Sequence, residues 1–118
     1  MTVRKAIEQS MNVVAVKALT EIGEQTGFDY LKSFGFSTVV DQEVINGQTF
    51  SDIQQATALG GITHGVYNLE MTAAYASLAN NGTYTKPKFY TKILDHSGNV
   101  LIDNTSETHQ VVKASTDC

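Results

Sequence analysis

A mainly helical α+β fold with one antiparallel β-hairpin is predicted by three observations. Apolar residues recur at helical spacing over two long stretches, from Val3 to Ile22 and from Asn68 to Ala79. Beyond the only proline, Pro87, the pattern changes to short β-type runs on either side of a strong turn signal, Asp95-His96-Ser97-Gly98-Asn99. Gly23, Gly35, the Gly60-Gly61 pair and Gly82 punctuate the chain where helical patterns stop.

Thr2 is a reasonable N-cap for the first helical stretch, in which Val3, Ala6, Ile7, Met11, Val14, Ala18, Leu19 and Ile22 share the spacing up to Gly23. Ser10 and Asn12 interrupt it, because both side chains can bond local backbone in place of the helix ladder. A break into two shorter helices is expected there. Thr26 is expected to cap a further helix carrying Phe28, Tyr30, Leu31 and Phe34 and ending at Gly35, and residues Ser37 to Gln48 read as a loop. A weak helical pattern over Ser51 to Leu59 stops at Gly60-Gly61, and with Gly65 these glycines imply a tight chain reversal.

Asn68 is expected to cap the next helix, which runs to Asn80-Asn81-Gly82. Its Ala73, Ala74, Ala76 and Ala79 suggest close packing, and Met71, Tyr75 and Leu78 are expected to face the core. The hairpin follows, with strands within Phe89 to Leu94 and Val100 to Ile102. Ser115 or Thr116 could cap one more helix, and a helix start with nothing behind it suggests a fragment. Several packed helices plus this hairpin make one mixed domain, or part of one.

Composition narrows the function. With 118 residues, 42% hydrophobic and 17% charged, the chain suits one globular core and excludes disorder and low complexity. A formal charge of −4 and no basic cluster argue against a nucleic-acid partner. The longest apolar run, Val13 to Val16, is far short of the ~18 residues of a membrane helix, and Met1 opens no signal peptide. Cys118 has no partner for an internal disulfide, which fits an accident of truncation better than a nucleophile.

His64, His96 and His109 are too far apart to form a local metal-ligand pair, so no metal is expected. His64, in the glycine turn, is expected to be an exposed loop residue. Gly60 and Gly65 have P-loop spacing, but Val66 and Tyr67 stand where a lysine and a hydroxyl are needed, and no cofactor is expected. There is no G-x-S-x-G elbow. The remaining candidate is Ser10-Met11-Asn12, an S-x-N triplet at the helix break. Alone it carries little, since Ser97-Gly98-Asn99 matches too and chance supplies roughly half an occurrence. A cap at Ser10 and a turn residue at Asn12 explain it as simply.

Context adds weight. The run Thr2-Val3-Arg4-Lys5-Ala6-Ile7-Glu8-Gln9-Ser10-Met11-Asn12-Val13-Val14-Ala15-Val16 resembles the segment around the S-x-N motif of class A penicillin-binding proteins, the bifunctional enzymes that build peptidoglycan. The block from Ala58-Leu59-Gly60-Gly61 to Asn80-Asn81-Gly82 is similar to that family's glycine turn and following helix. Tyr84 to Pro87 and the hairpin around Gly98 continue the match, and only Ser37 to Gln48 fits poorly.

The resemblance implies a piece of a penicillin-binding-protein or β-lactamase-like transpeptidase domain over residues 1–118. Such a site combines S-x-x-K, an S-x-N-type triplet and K-T-G. Here no serine is followed three places later by lysine, and neither Lys-Thr-Gly nor Lys-Ser-Gly occurs. The chain then resembles a central slice whose nucleophile and base lie outside it, and alone it should be inert. By resemblance Ser10 relays a proton and Asn12 holds the substrate amide, as supporting catalytic residues. The implied partners are peptidoglycan stem peptides, β-lactams and the rest of the transpeptidase domain. Truncation could also leave surface for self-association. The implied location is the outer face of the bacterial membrane for an anchored parent, with the fragment itself soluble. Arg4, beside the triplet, is expected in a surface or structural ion pair.

Two rivals stand beside this reading. One is a non-enzymatic helical module that dimerises or binds a partner through its Ala-rich face. The other is a small metal-free hydrolase pairing Ser10 with His64.

Overall fold

The computed structural model describes residues 2–117; the expectation for Cys118 lies outside them. The chain forms two compact units, Met1–Tyr67 and Asn68–Cys118. Among the described residues each strand pair lies inside one unit.

In the first unit, α1 spans Val3–Glu8, and the Thr2 hydroxyl accepts the Lys5 amide at 3.2 Å as its cap. α2 spans Asn12–Ile22, so the helical stretch does break at the S-x-N triplet. Gly23, with φ of 95°, ends α2 and leads into α3, Glu24–Ser33. The expected cap Thr26 is thus inside α3. The helix starts earlier because Gly23 turns the chain and its carbonyl already accepts the Gly27 amide at 3.2 Å. Gly27 also lets the helices approach closely: a Cβ there would stand 2.4 Å from the Leu19 side chain. Phe28 is buried under the Lys32 ammonium, which sits 5.1 Å from its ring centroid.

Where a loop is expected over Ser37 to Gln48, a short hairpin forms instead. β1 (Glu43–Ile45) pairs antiparallel with β2 (Gln48–Phe50), Glu43 opposite Phe50 and Ile45 opposite Gln48. Asn46 and Gly47, with φ of 52° and 82°, form the two-residue connection, which needs positive φ at both central positions. The weak pattern before the glycine pair becomes a 3-10 helix, Gln55–Leu59, packed on α2. Gly60, at φ 85°, ends it. The core of this unit is Ala6, Phe28, Phe36 and Val39, with the buried carboxyl group of Asp52.

In the second unit, α4 spans Asn68–Ala79, with Asn68 as a helical residue instead of the cap. Its buried positions are the small ones, Ala74 and Ser77. Met71, Tyr75 and Leu78, expected in the core, are 38%, 67% and 42% exposed. The reason is close packing against β3, Thr83–Thr85: small residues let the helix approach the strand, so its large residues face the other way. Ala76 and Ala79 are likewise exposed. Burial, with the Glu70 carboxylate as a second cause, raises the Tyr84 pKa.

Among the described residues three antiparallel pairs replace the single expected hairpin. Besides β1 and β2, β3 pairs with β6 (Thr108–Gln110), and β4 (Lys92–Leu94) with β5 (Val100–Asp103). The last pair is the hairpin read from the sequence, with a register shift between Ile93 and Leu94. Its turn is organised by Asp95, whose carboxylate accepts the Ser97 and Asn99 amides at 2.9 Å each. Bonding from Asn99 above all holds that carboxyl below its usual range. α5, Ala114–Asp117, begins before Ser115 and Thr116, so neither caps it. Among the described residues no helix is long and apolar enough to cross a membrane.

Candidate active site around Ser10 and Asn12

The turn between α1 and α2 follows a specific backbone pattern. The Ser10 amide donates to the Ile7 carbonyl at 3.1 Å and the Met11 amide to the Ala6 carbonyl at 3.0 Å, the paired bonds of a Schellman motif. The residue between must adopt a left-handed conformation, and Ser10 does so at φ 49°. The same motif ends α3 with Gly35 at φ 92°. At the end of α4 the left-handed position is Asn81, at φ 54°. Glycine and asparagine are the residues such a position favours. A serine there stores backbone strain.

Neither site side chain is occupied with local bonding. The Ser10 hydroxyl and the Asn12 carboxamide make no hydrogen bond among the described residues, and both residues are exposed. Met11 is the residue that caps α2, without a side-chain bond, so Asn12 is the first helical residue. Ser10 thus forms the turn through its backbone alone, and neither side chain caps a helix among the described residues.

Both border a concavity of about 510 Å³ whose other walls are apolar: Val3, Ala6 and Ile7 of α1, Val14, Ala15 and Ala18 of α2, and Ala58 and Leu59 of the 3-10 helix. A hydroxyl and a carboxamide two residues apart thus share one apolar groove. Together they can donate to and accept from a bound amide, and the hydroxyl can pass a proton on.

His64 is placed otherwise. Its Nε2 faces the Glu43 carboxylate, which ties the glycine turn to β1, and no hydrogen bond joins it to Ser10 among the described residues. The histidine that the hydrolase reading needs as a base is engaged elsewhere. Arg4 is exposed and forms no ion pair among the described residues, contrary to expectation. On α1 it lies outside the groove that its neighbours Val3, Ala6 and Ile7 line.

Residues 1–116 match the family described as the penicillin binding protein transpeptidase domain. The chain belongs to the penicillin-binding protein transpeptidase family. It is 36% identical over 113 residues to Penicillin-binding protein 1A of Clostridium novyi, an overlap of 92% of this chain and 12% of that protein. Penicillin-binding protein 1F of Bacillus subtilis is 37% identical over 116 residues, 98% of this chain and 15% of the relative. Penicillin-binding protein 4 of the same organism is 32% identical over 117 residues, 99% and 17%. The chain therefore spans between 12% and 17% of the length of these penicillin-binding proteins. The five α-helices and small antiparallel sheets among the described residues are consistent with a portion of such a transpeptidase domain.

Sequence reasoning did not single out Asp52 or Thr63. The Asp52 carboxylate is 1% exposed and accepts both the amide and the hydroxyl of Thr63 at 2.9 Å. A lone acidic residue in a polar stretch carries no motif. Only the amides that converge on it in the fold reveal it.

Proposed function

We propose that this chain supplies the S-x-N element of a peptidoglycan D,D-transpeptidase that works through an acyl-serine intermediate. The nucleophilic serine and its lysine base belong to an S-x-x-K element outside these 118 residues, and the K-T-G element is outside them too. In the assembled site the serine attacks the penultimate D-alanine carbonyl of a stem peptide and the terminal D-alanine leaves with a proton. The acyl group then passes to an amine of a neighbouring strand. Ser10 relays the proton between lysine and leaving group, and Asn12 orients the substrate amide. A β-lactam is captured at the same acylation step. The site faces the outside of the bacterial membrane, where peptidoglycan is cross-linked.

The observation that carries this reading is the left-handed Ser10 with its unbonded hydroxyl beside the unbonded Asn12 carboxamide. A second observation supports the larger domain. Val14, Ala15, Ala18 and Leu19 give α2 an apolar face, yet no residue of α2 is buried. The apolar face of such a helix ordinarily packs against a core. Further chain of the same domain is the cover that this reading assigns to it.

Intact-mass measurement with benzylpenicillin tests the proposal. The long protein carrying this sequence with S-x-x-K and K-T-G elements is expected to gain one drug mass, and the 118-residue chain none. A gain on the short chain would place the nucleophile within it, and no gain on the long protein would refute the acyl-serine function.

A further inference from the structure

We infer that Asp52 is a positioning residue for the Ser10 and Asn12 site, acting through the 3-10 helix that walls the groove; the inference rests on the acyl-serine reading above. Asp52 is 1% exposed, and no cation pairs with it among the described residues. A carboxyl group is costly to bury unless hydrogen bonds replace its water. Here they do. Oδ2 accepts the Val40 amide at 2.8 Å, while Oδ1 accepts the Thr63 amide and hydroxyl at 2.9 Å each. Donors thus meet both oxygens. An asparagine would have to turn its NH2 towards a backbone N–H on one side or the other, so only a carboxylate of this size satisfies the site.

The main chain of Asp52 is held as firmly. Its amide donates to the Val40 carbonyl at 2.9 Å, and its carbonyl accepts the Thr57 hydroxyl at 2.6 Å. Thr57 lies within the 3-10 helix, next to Ala58 and Leu59, which line the same groove as Ser10 and Asn12. Asp52 therefore fastens the wall segment on its N-terminal side and, through Thr63, the chain that leaves it. The far end is closed by the Gly61 amide on the Ala56 carbonyl at 2.9 Å and by Gln54 Nε2 on the Gly61 carbonyl at 3.1 Å. Gln55 Nε2 donates to the Thr20 hydroxyl at 3.0 Å and so joins this frame to α2, the helix that begins with Asn12. The width of the groove beside the two polar side chains then depends on a carboxylate that touches neither.

Acylation by a fluorescent penicillin tests this in the long protein that carries the S-x-x-K and K-T-G elements. The rate constant is expressed per titratable active site. A purely structural role would lower the number of titratable sites and leave the rate at each of them unchanged. Asp52→Asn is expected to lower the rate per site about 10-fold, as a small misplacement of a positioned group does. Thr63→Val, which removes only the hydroxyl bond, is expected to lower it roughly threefold. If Asp52→Asn leaves no titratable sites, Thr63→Val decides: a slowed rate per site supports the inference and a wild-type rate overturns it. A wild-type rate per site in Asp52→Asn also overturns it, while slow acylation of Ser10→Ala in the same series leaves the acyl-serine reading standing. If the unsubstituted protein is not acylated, or Ser10→Ala is as fast as it, both fail together.

Discussion

Ser10→Gly is expected to stabilise the α1–α2 turn and at the same time to slow acylation of the long protein about 100-fold. The two effects have separate origins. A non-glycine residue in the left-handed region costs ~1–2 kcal/mol, and glycine's extra unfolded-state entropy returns ~0.5–1 kcal/mol of that, so the net gain is up to about 1.5 kcal/mol. Ser10 holds that conformation at φ 49°, in the motif that α3 closes with Gly35. The loss of rate comes from the hydroxyl, because a positioned proton-transfer group contributes typically ~10²–10⁴-fold. Ser10→Ala is the control: it keeps the Cβ and the strain, gains no stability, and loses the same activity. Urea midpoints and penicillin acylation rates read the two effects separately. Faster or unchanged acylation in both variants would remove Ser10 from the site.

The largest loss of stability is expected from Gly82→Ala in the second unit. Gly82 has φ 79°, and a Cβ there would stand 2.0 Å from the Val112 carbonyl oxygen, a backbone atom that cannot swing aside. The Gly82 carbonyl also accepts the Val111 amide at 2.8 Å, so moving the chain apart breaks the contact that follows β6. Left-handed strain of ~1–2 kcal/mol adds to the displaced backbone bonding, for a total of about 3 kcal/mol or more. Gly47→Ala separates the two contributions. Gly47 has nearly the same φ, 82°, but nothing lies within 4 Å of its Cβ position, so only about 1 kcal/mol is expected there. Equal shifts of the urea midpoint for the two variants would refute the steric account.

The helices are legible in the sequence because their signals are local. The break at Ser10, the cap at Thr2 and the stop at Gly23 each depend on residues within one turn. Strand pairing is less so. β2 and β6 are three residues each and exposed throughout, so no alternation of apolar and polar residues marks them. For β1 and β2 a signal does exist in Asn46-Gly47, and the hairpin preference of that dipeptide outweighs the polar character of the surrounding stretch. At α4 periodicity alone misleads. It identifies a face but not which face is buried, and close approach to β3 favours Ala74 and Ser77 over Tyr75 and Leu78. The site divides in the same way: the residues Ser10 and Asn12 stand in the text of the chain, but the strain at Ser10, the freedom of both side chains and the Asp52 clamp arise only in three dimensions.

The pairing of β3 with β6 encloses the hairpin of β4 and β5, and this nesting carries a kinetic consequence. Ends that must meet across a flexible loop lose entropy that grows with the loop's length. When β4 and β5 pair first across their short Asp95-centred turn, the free chain between β3 and β6 shrinks, and the outer closure becomes less costly. The inner hairpin should therefore form before the outer ladder. Pulse-labelling hydrogen exchange during refolding is expected to protect the Asn104 amide, bonded to the Thr91 carbonyl, ahead of the Lys86 amide, bonded to the Glu107 carbonyl. The reverse order would mean that the outer ladder nucleates on its own. On the nested route, a slow Asp95 turn delays every contact outside it.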